Sequence, residues 1–114
     1  MSPAPLAVVQ GTLELLVLKT LSAGGEQHGF GILDFIHHAT QERLAIEEGA
    51  LYPALHRMER RGWLASDWAV SEKGRKAKYY RLTRAGHAAL RREEERWAEY
   101  VDAVARIAPG EAGG

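Results

Sequence analysis

Residues Glu47–Thr83 read EEGALYPALHRMERRGWLASDWAVSEKGRKAKYYRLT, and two different periodicities meet at Gly62. Before it, Leu51, Leu55 and Met58 recur at four and three residues, the buried stripe of a helix that should begin near Glu48 or Gly49. Arg60 and Arg61 followed by Gly62 make a helix stop, because cations suit the negative end and glycine takes the left-handed conformation there. Pro53 is then expected in the first turn, where its missing N–H costs nothing. After Gly62 the period falls to two. Leu64, Ser66, Trp68 and Val70 alternate with Ala65, Asp67 and Ala69, and Tyr80 and Leu82 alternate with Tyr79 and Arg81. The polar link SEKGRKA contains Gly74 and is too long for a two-residue turn, so a hairpin over Trp63–Thr83 with an exposed tip is predicted. One of Tyr79 and Tyr80 should enter the core and the other face outward.

Upstream, a tail bearing Pro3 and Pro5 leads to Thr12, the expected N-cap of a first helix, with Glu14 suited to its positive end. LELLVLKTL places Leu13, Leu16, Val17 and Leu21 on one face and Leu15 and Leu18 on another. A helix apolar on two sides must be covered on two sides. SAGGE ends it. A second helix is predicted from about Gly29 to His38, with Phe30, Leu33 and His37 as one stripe and Ile32, Phe35, Ile36 and Ala39 as the other. Downstream, Thr83 should cap a last helix reaching about Ala108, before Pro109 and a glycine-rich end. Leu90, Trp97, Val101, Val104 and Ala108 form a narrow seam along it, interrupted by the charged RREEER. Such a seam is the pattern of a helix lying along another helix. A homodimer is expected, with Leu13, Leu16, Leu90, Trp97, Val101 and Val104 at its interface.

The chain has 114 residues and a formal net charge of zero, with 46% hydrophobic and 26% charged residues. That suits one globular core and excludes the disordered class. It has no cysteine, so disulfides and thiolate sites are excluded. No apolar run approaches the roughly 20 residues that a spanning helix needs, and the start lacks the basic region of a signal peptide. A cytoplasmic address is expected. The neutral total conceals a strong asymmetry. Residues 1–55 hold two basic against six acidic groups, residues 56–92 eleven against three, and residues 93–114 two against six. A sector at +8 between two at −4 is the footprint of a polyanion site.

Three helices followed by a hairpin make a winged helix-turn-helix, so the fold class is mainly α with a small β-hairpin and a C-terminal dimerisation helix. The expected division is a tail over 1–11, a DNA-binding domain over 12–83, the dimerisation helix over 84–108 and a disordered tail over 109–114. The parts match double-stranded DNA. The major groove admits a helix with small and polar side chains at its amino end, and a wing lays cations on phosphates. Ala50, Tyr52, Pro53, His56, Arg57 and Arg60 are the expected helix contacts, and Lys73, Arg75, Lys76 and Lys78 the contacts at the hairpin tip.

GTLELLVLKTL, HGFGI, EEGALYPALHRMERRGW and KAKYYRLTRAG resemble the PadR family of bacterial transcriptional regulators, over nearly the whole chain from Gly11. The resemblance implies repression by operator binding, released by a small molecule or stress signal. The short tail is similar to the compact subgroup with one C-terminal helix. It implies that Glu48–Arg61 is the recognition helix, with Tyr52 inside its signature, and that Trp63–Thr83 is the wing. Two positions depart from the family pattern: Ala50 where serine or threonine is frequent, and Phe30 where tyrosine is common.

Other readings weigh less. Arg57 and Arg60 could be solvated residues at a helix end, and Tyr52 a packing residue. Asp34 and His38 are four apart, but His37 and His38 point about 100° apart, and no further ligand pair completes a tetrahedral set. No metal or other cofactor is expected. His28 reads as a helix-start residue, His56 as polar on the recognition helix and His87 as exposed. Trp97 reads as seam packing, and beside its twin in a dimer two indoles would make a wall for a planar effector. A protein–protein module using the basic face against an acidic partner is the alternative function. No nucleophile elbow, metal set or phosphate loop supports an enzyme.

Overall fold

The computed structural model describes residues 4–107. The elements in chain order are α1 (Leu13–Gly24), β1 (Gln27–His28), α2 (Gly29–Ala39), α3 (Glu48–Arg60), β2 (Leu64–Val70), β3 (Lys76–Leu82) and α4 (Arg84–Arg106). The expected positions of Ala108 and of the 109–114 tail lie outside the described residues.

Helix α1 is covered on both sides, as its two apolar faces require. Val17 and Leu18 are fully buried, Leu15 and Leu21 nearly so, and Leu13 and Leu16 pack half-buried against the same core. Ile32 and Ile36 from α2, Leu51, Leu55 and Met58 from α3, Leu64 from β2, Tyr80 from β3 and Leu90 from α4 complete it. Each fully buried Leu or Ile contributes about 1.5–3 kcal/mol relative to exposure. Tyr80 is the core tyrosine of its pair, and burial pushes its phenol pKa up.

The stop at Gly62 is built as the sequence requires. Gly62 has φ +80°, its N–H donates to Glu59 C=O at 2.9 Å, and Trp63 N–H donates to Met58 C=O at 3.0 Å. These two bonds satisfy the last carbonyls of α3. Beyond Gly62, β2 and β3 pair antiparallel from Leu64↔Leu82 to Val70↔Lys76. The sheet gains a third strand that the hairpin reading did not contain. β1 pairs with β3 through Gln27↔Tyr80 and His28↔Tyr79, giving the order β1-β3-β2. Two residues carry too little alternation to be read as a strand.

Several expectations are corrected. Thr12 does not cap α1 with its side chain; its Oγ1 donates to Val9 C=O at 2.6 Å instead. Pro53 lies in the second turn of α3, because the helix begins at Glu48. Proline there removes the bond that would reach back to the carbonyl four residues earlier, that of Gly49. Phe30 is 57% exposed and contributes no buried stripe. The segment before α1 is tied down in part, since Leu6 forms a parallel bridge with Leu44 and donates to Arg43 C=O at 2.7 Å. Leu90 is 9% exposed and belongs to this chain's own core, so it offers little to a partner. Thr83 caps α4 as expected, accepting from Gly86 N–H at 3.0 Å.

Helix α4 has 23 residues and so runs about 34 Å. Its inner face is buried at Gly86, Ala89 and Leu90 and packs along α1. Farther on, the same face emerges uncovered: Trp97 is 38% exposed, Val101 47% and Val104 50%. The long dimension of 58 Å reflects this overhang.

Candidate nucleic-acid interface

The exposed side of α3 carries Ala50, Tyr52, Pro53, His56 and Arg60, because Leu51, Ala54, Leu55 and Met58 turn the opposite side into the core. Beside it, the start of α2 and the inner face of the hairpin enclose an open cleft of about 720 Å³. His56 and Tyr52 reach it from α3, Lys73 and Arg75 from the hairpin turn, and Lys76 and Lys78 from β3. The four hairpin cations Lys73, Arg75, Lys76 and Lys78 thus share one concavity with Tyr52 and His56 of α3. The two-residue period of β3 explains part of this, since Lys76, Lys78 and Tyr80 alternate onto one face.

Tyr52 stands between the packing and contact readings. It is 40% exposed, and its ring lies over Gly29, where a Cβ would come within 2.6 Å of the tyrosine Cε1 and Oη. The glycine therefore lets the start of α2 approach α3 closely. His28 caps that start: its Nδ1 accepts from Gly31 N–H at 3.0 Å. This bond requires the neutral tautomer with hydrogen on Nε2, the atom that faces Glu72 Oε1 at 3.8 Å. Lys73 Nζ sits 5.6 Å above the Phe30 ring, so the hairpin turn meets the start of α2 at two points. Ser71 Oγ accepts from Arg75 N–H at 3.3 Å and Ser71 N–H donates to Arg75 C=O at 2.7 Å, closing the turn around Gly74, whose φ is +76°.

The structure moves three of the expected cations. Lys76 and Lys78 are in β3, not at the tip, and Lys76 Nζ lies 5.7 Å from the Trp68 ring centroid. Lys78, which lines the cleft, bonds Glu59 Oε1 at 3.3 Å. Arg57 is turned toward α1, with its Nη2 3.3 Å from Glu14 Oε2. Arg81, on the other face of the sheet, holds Asp67 at 2.7 Å. The basic sector is therefore divided: Arg57, Lys78 and Arg81 have acidic partners, while Lys73, Arg75, Lys76 and Arg60 have no ion pair among the described residues.

Trp68 was not legible as a site residue, whereas Phe30 stands at a position that the family resemblance had marked. Trp68 is 62% exposed on the inner face of the hairpin, because the alternation that buries Leu64 continues past the end of α3. Glu59 is the other unanticipated residue. It accepts from Ser66 Oγ at 2.6 Å, so one carboxylate joins α3 to both β2 and β3. The Ser66 hydrogen bond and the Lys78 ammonium hold its carboxyl below the ordinary 4.5, against an opposing effect of burial. A carboxyl lowered in the folded state adds stability that is complete above its unfolded value and is lost as pH falls through the folded value. Glu59→Gln is expected to be less stable than the parent at neutral pH, by under about 1 kcal/mol for so accessible a pair. The gap should close in acid. Thermal unfolding across an acid series reads it; a gap unchanged well below pH 4.5 would contradict the ionic role.

His38 Nδ1 approaches Asp34 Oδ1 at 3.3 Å with both side chains exposed, and among the described residues no three potential ligands gather around one point. At the far end of the molecule Trp97 and Tyr100 stack, with centroids 5.8 Å apart and planes at 22°. No helix among the described residues is long and apolar enough to cross a membrane.

A family model described as Transcriptional regulator PadR-like family matches residues 17–92. Among solved structures, a transcriptional regulator from Clostridium thermocellum superposes with a TM-score of 0.79 at 26% identity, covering 89% of this chain and 97% of the other. A PadR family transcriptional regulator from Eggerthella lenta gives a TM-score of 0.74 at 33% identity, covering 86% and 82%. By sequence, the Mycobacterium tuberculosis protein named Transcriptional regulator Rv3488 is 38% identical over 69 residues, 60% of this chain and 61% of that protein.

Proposed function

Because this chain belongs to the PadR-like family of transcriptional regulators, and is thus a DNA-binding regulator and not an enzyme, we propose that it binds a two-fold operator as a homodimer and represses by occupying it. The observation that supports this reading best is the single cleft joining α3 to the cations of the hairpin. In the proposed complex the amino end of α3 enters the major groove. Ala50, Tyr52, Pro53, His56 and Arg60 face base edges and flanking phosphates, and Lys73, Arg75 and Lys76 follow the neighbouring backbone. Phosphate contacts position the protein, and base contacts select the sequence. Arg57 and Lys78 stand at the edge of this set because each is held by a carboxylate.

The dimer rests on the overhanging half of α4. Trp97, Val101 and Val104 continue the face that α1 covers earlier, and a second copy would cover them by the same packing. Leu13 and Leu16 keep partial exposure near the start of α1 and would flank that contact. Trp97, already stacked on Tyr100, would lie near its twin, and a planar effector between the indoles would change the spacing of the two recognition helices and release the operator. A cytoplasmic location accords with this role.

The experiment is duplex binding against salt concentration. Arg60→Ala is expected to weaken a selected operator more than random duplex. Lys76→Met should weaken both alike and reduce the steepness of the salt dependence by about 0.9 in a plot of log affinity against log salt. Selection from random DNA should return half-sites about 34 Å apart. Binding that ignores salt, or variants that match the parent on every duplex, would overturn the reading.

A further inference from the structure

We infer that Glu59 is the selectivity-setting residue of the DNA face, holding Lys78 out of the phosphate-binding set while fixing the hairpin to α3. The inference rests on the DNA-binding reading above and adds a residue with the opposite sign of charge to it.

The geometry of Glu59 and of its partner Lys78 supports this. Its Oε2 accepts from Ser66 Oγ at 2.6 Å and its Oε1 meets Lys78 Nζ at 3.3 Å, so its two oxygens serve two adjacent strands. Lys78 is further confined, since its Nζ lies 5.7 Å from the centroid of the buried Tyr80 ring. Its side chain is 29% exposed, and it lines the same cleft as Lys73, Arg75 and Lys76. An ammonium at that depth with no carboxylate beside it would extend toward any phosphate entering the cleft.

The consequence for recognition follows from where affinity comes from. Cation–phosphate contacts supply essentially all non-specific binding, because each releases counterions from every duplex alike. A regulator must find few sites among many competitors, so the ratio of specific to non-specific affinity matters more than either value. A carboxylate paired with a cleft lysine cancels that lysine and so lowers affinity for all phosphates alike. The Ser66 bond meanwhile fixes the wing relative to the helix that reads bases. Glu59 thus costs general affinity and preserves discrimination.

Glu59→Gln separates charge from shape, because the amide oxygen still accepts from Ser66. Binding of random duplex and of an operator selected by the parent protein would be measured at several salt concentrations for the parent, Glu59→Gln, Lys78→Met and the double variant. Expected are tighter binding of random duplex by Glu59→Gln, a salt dependence steeper by about 0.9, and a smaller ratio between operator and random duplex. Lys78→Met alone should change the salt dependence much less than Lys76→Met does. In the double variant the steepness should return to that of the parent. An unchanged slope in Glu59→Gln, or a slope in Lys78→Met reduced as much as in Lys76→Met, overturns the role of Glu59 and leaves the DNA-binding reading standing. A parent protein that binds no duplex overturns both.

Discussion

Gly86→Ala is expected to destabilise the chain by about 3 kcal/mol or more, the upper part of the range for forcing atoms into filled space. Gly86 is the third residue of α4 and is buried. A Cβ there would overlap the Trp63 carbonyl oxygen and meet Leu82 Cδ2 at 3.3 Å. That carbonyl is not free to move, since it accepts from Thr83 N–H at 3.0 Å, and the Thr83 hydroxyl donates to Gly62 C=O. To admit one methyl group, α4 must lift from the start of β2 and disturb its own cap. Helix propensity acts the other way, because alanine is favoured over glycine in a helix by about 1 kcal/mol. The steric effect wins. Gly49→Ala is the control: nothing lies within 4 Å of a Cβ there, and the same substitution in α3 should be neutral or slightly stabilising. Denaturant midpoints for the two variants decide the matter, and a Gly86→Ala protein as stable as Gly49→Ala would show that the junction yields easily.

The second large effect is expected from Val101→Asp. Val101 is 47% exposed in the single chain, so a carboxylate there costs the monomer little. In the proposed dimer the same carboxylate would be buried against an apolar partner and opposite its own twin, an expensive place for an unpaired charge. Sedimentation should therefore report a monomer whose helix content and melting are close to those of the parent monomer. Operator affinity should fall by roughly a hundredfold or more, because linking two half-site contacts raises avidity by 10²–10⁴. Binding of a single half-site should change far less. If Val101→Asp sediments as the parent does and binds the operator equally well, the α4 seam is not the dimer contact.

Much of this molecule is written locally. The change from a four-three spacing to alternation at Gly62, the cap at Thr83, the double-sided α1 and the cationic turn are each encoded within a few residues. Local steric and hydrogen-bonding rules suffice to find them. The cleft was legible in outline for the same reason, as a basic hairpin after a helix with a polar outer side. What is not written locally is which residues distant in sequence come to lie side by side. Glu59 looks like an ordinary helix charge until Ser66 and Lys78 arrive beside it, seven and nineteen residues on. Arg57 belongs to the cationic side of α3 by periodicity, yet Glu14, forty-three positions earlier, draws it toward α1. Leu90 reads as the start of a seam, but the packing of α4 on α1 encloses it in the core.

From the order of residues alone, the four helices and the two long strands can be placed, and so can the gathering of positive charge around the hairpin, since backbone periodicity and end-capping act over neighbouring residues; the two-residue strand β1 cannot. Which of those charges remain available and which are cancelled depends on the folded packing. The Coulomb attraction of a pair falls with distance through space, and nothing in the order of the residues records that distance.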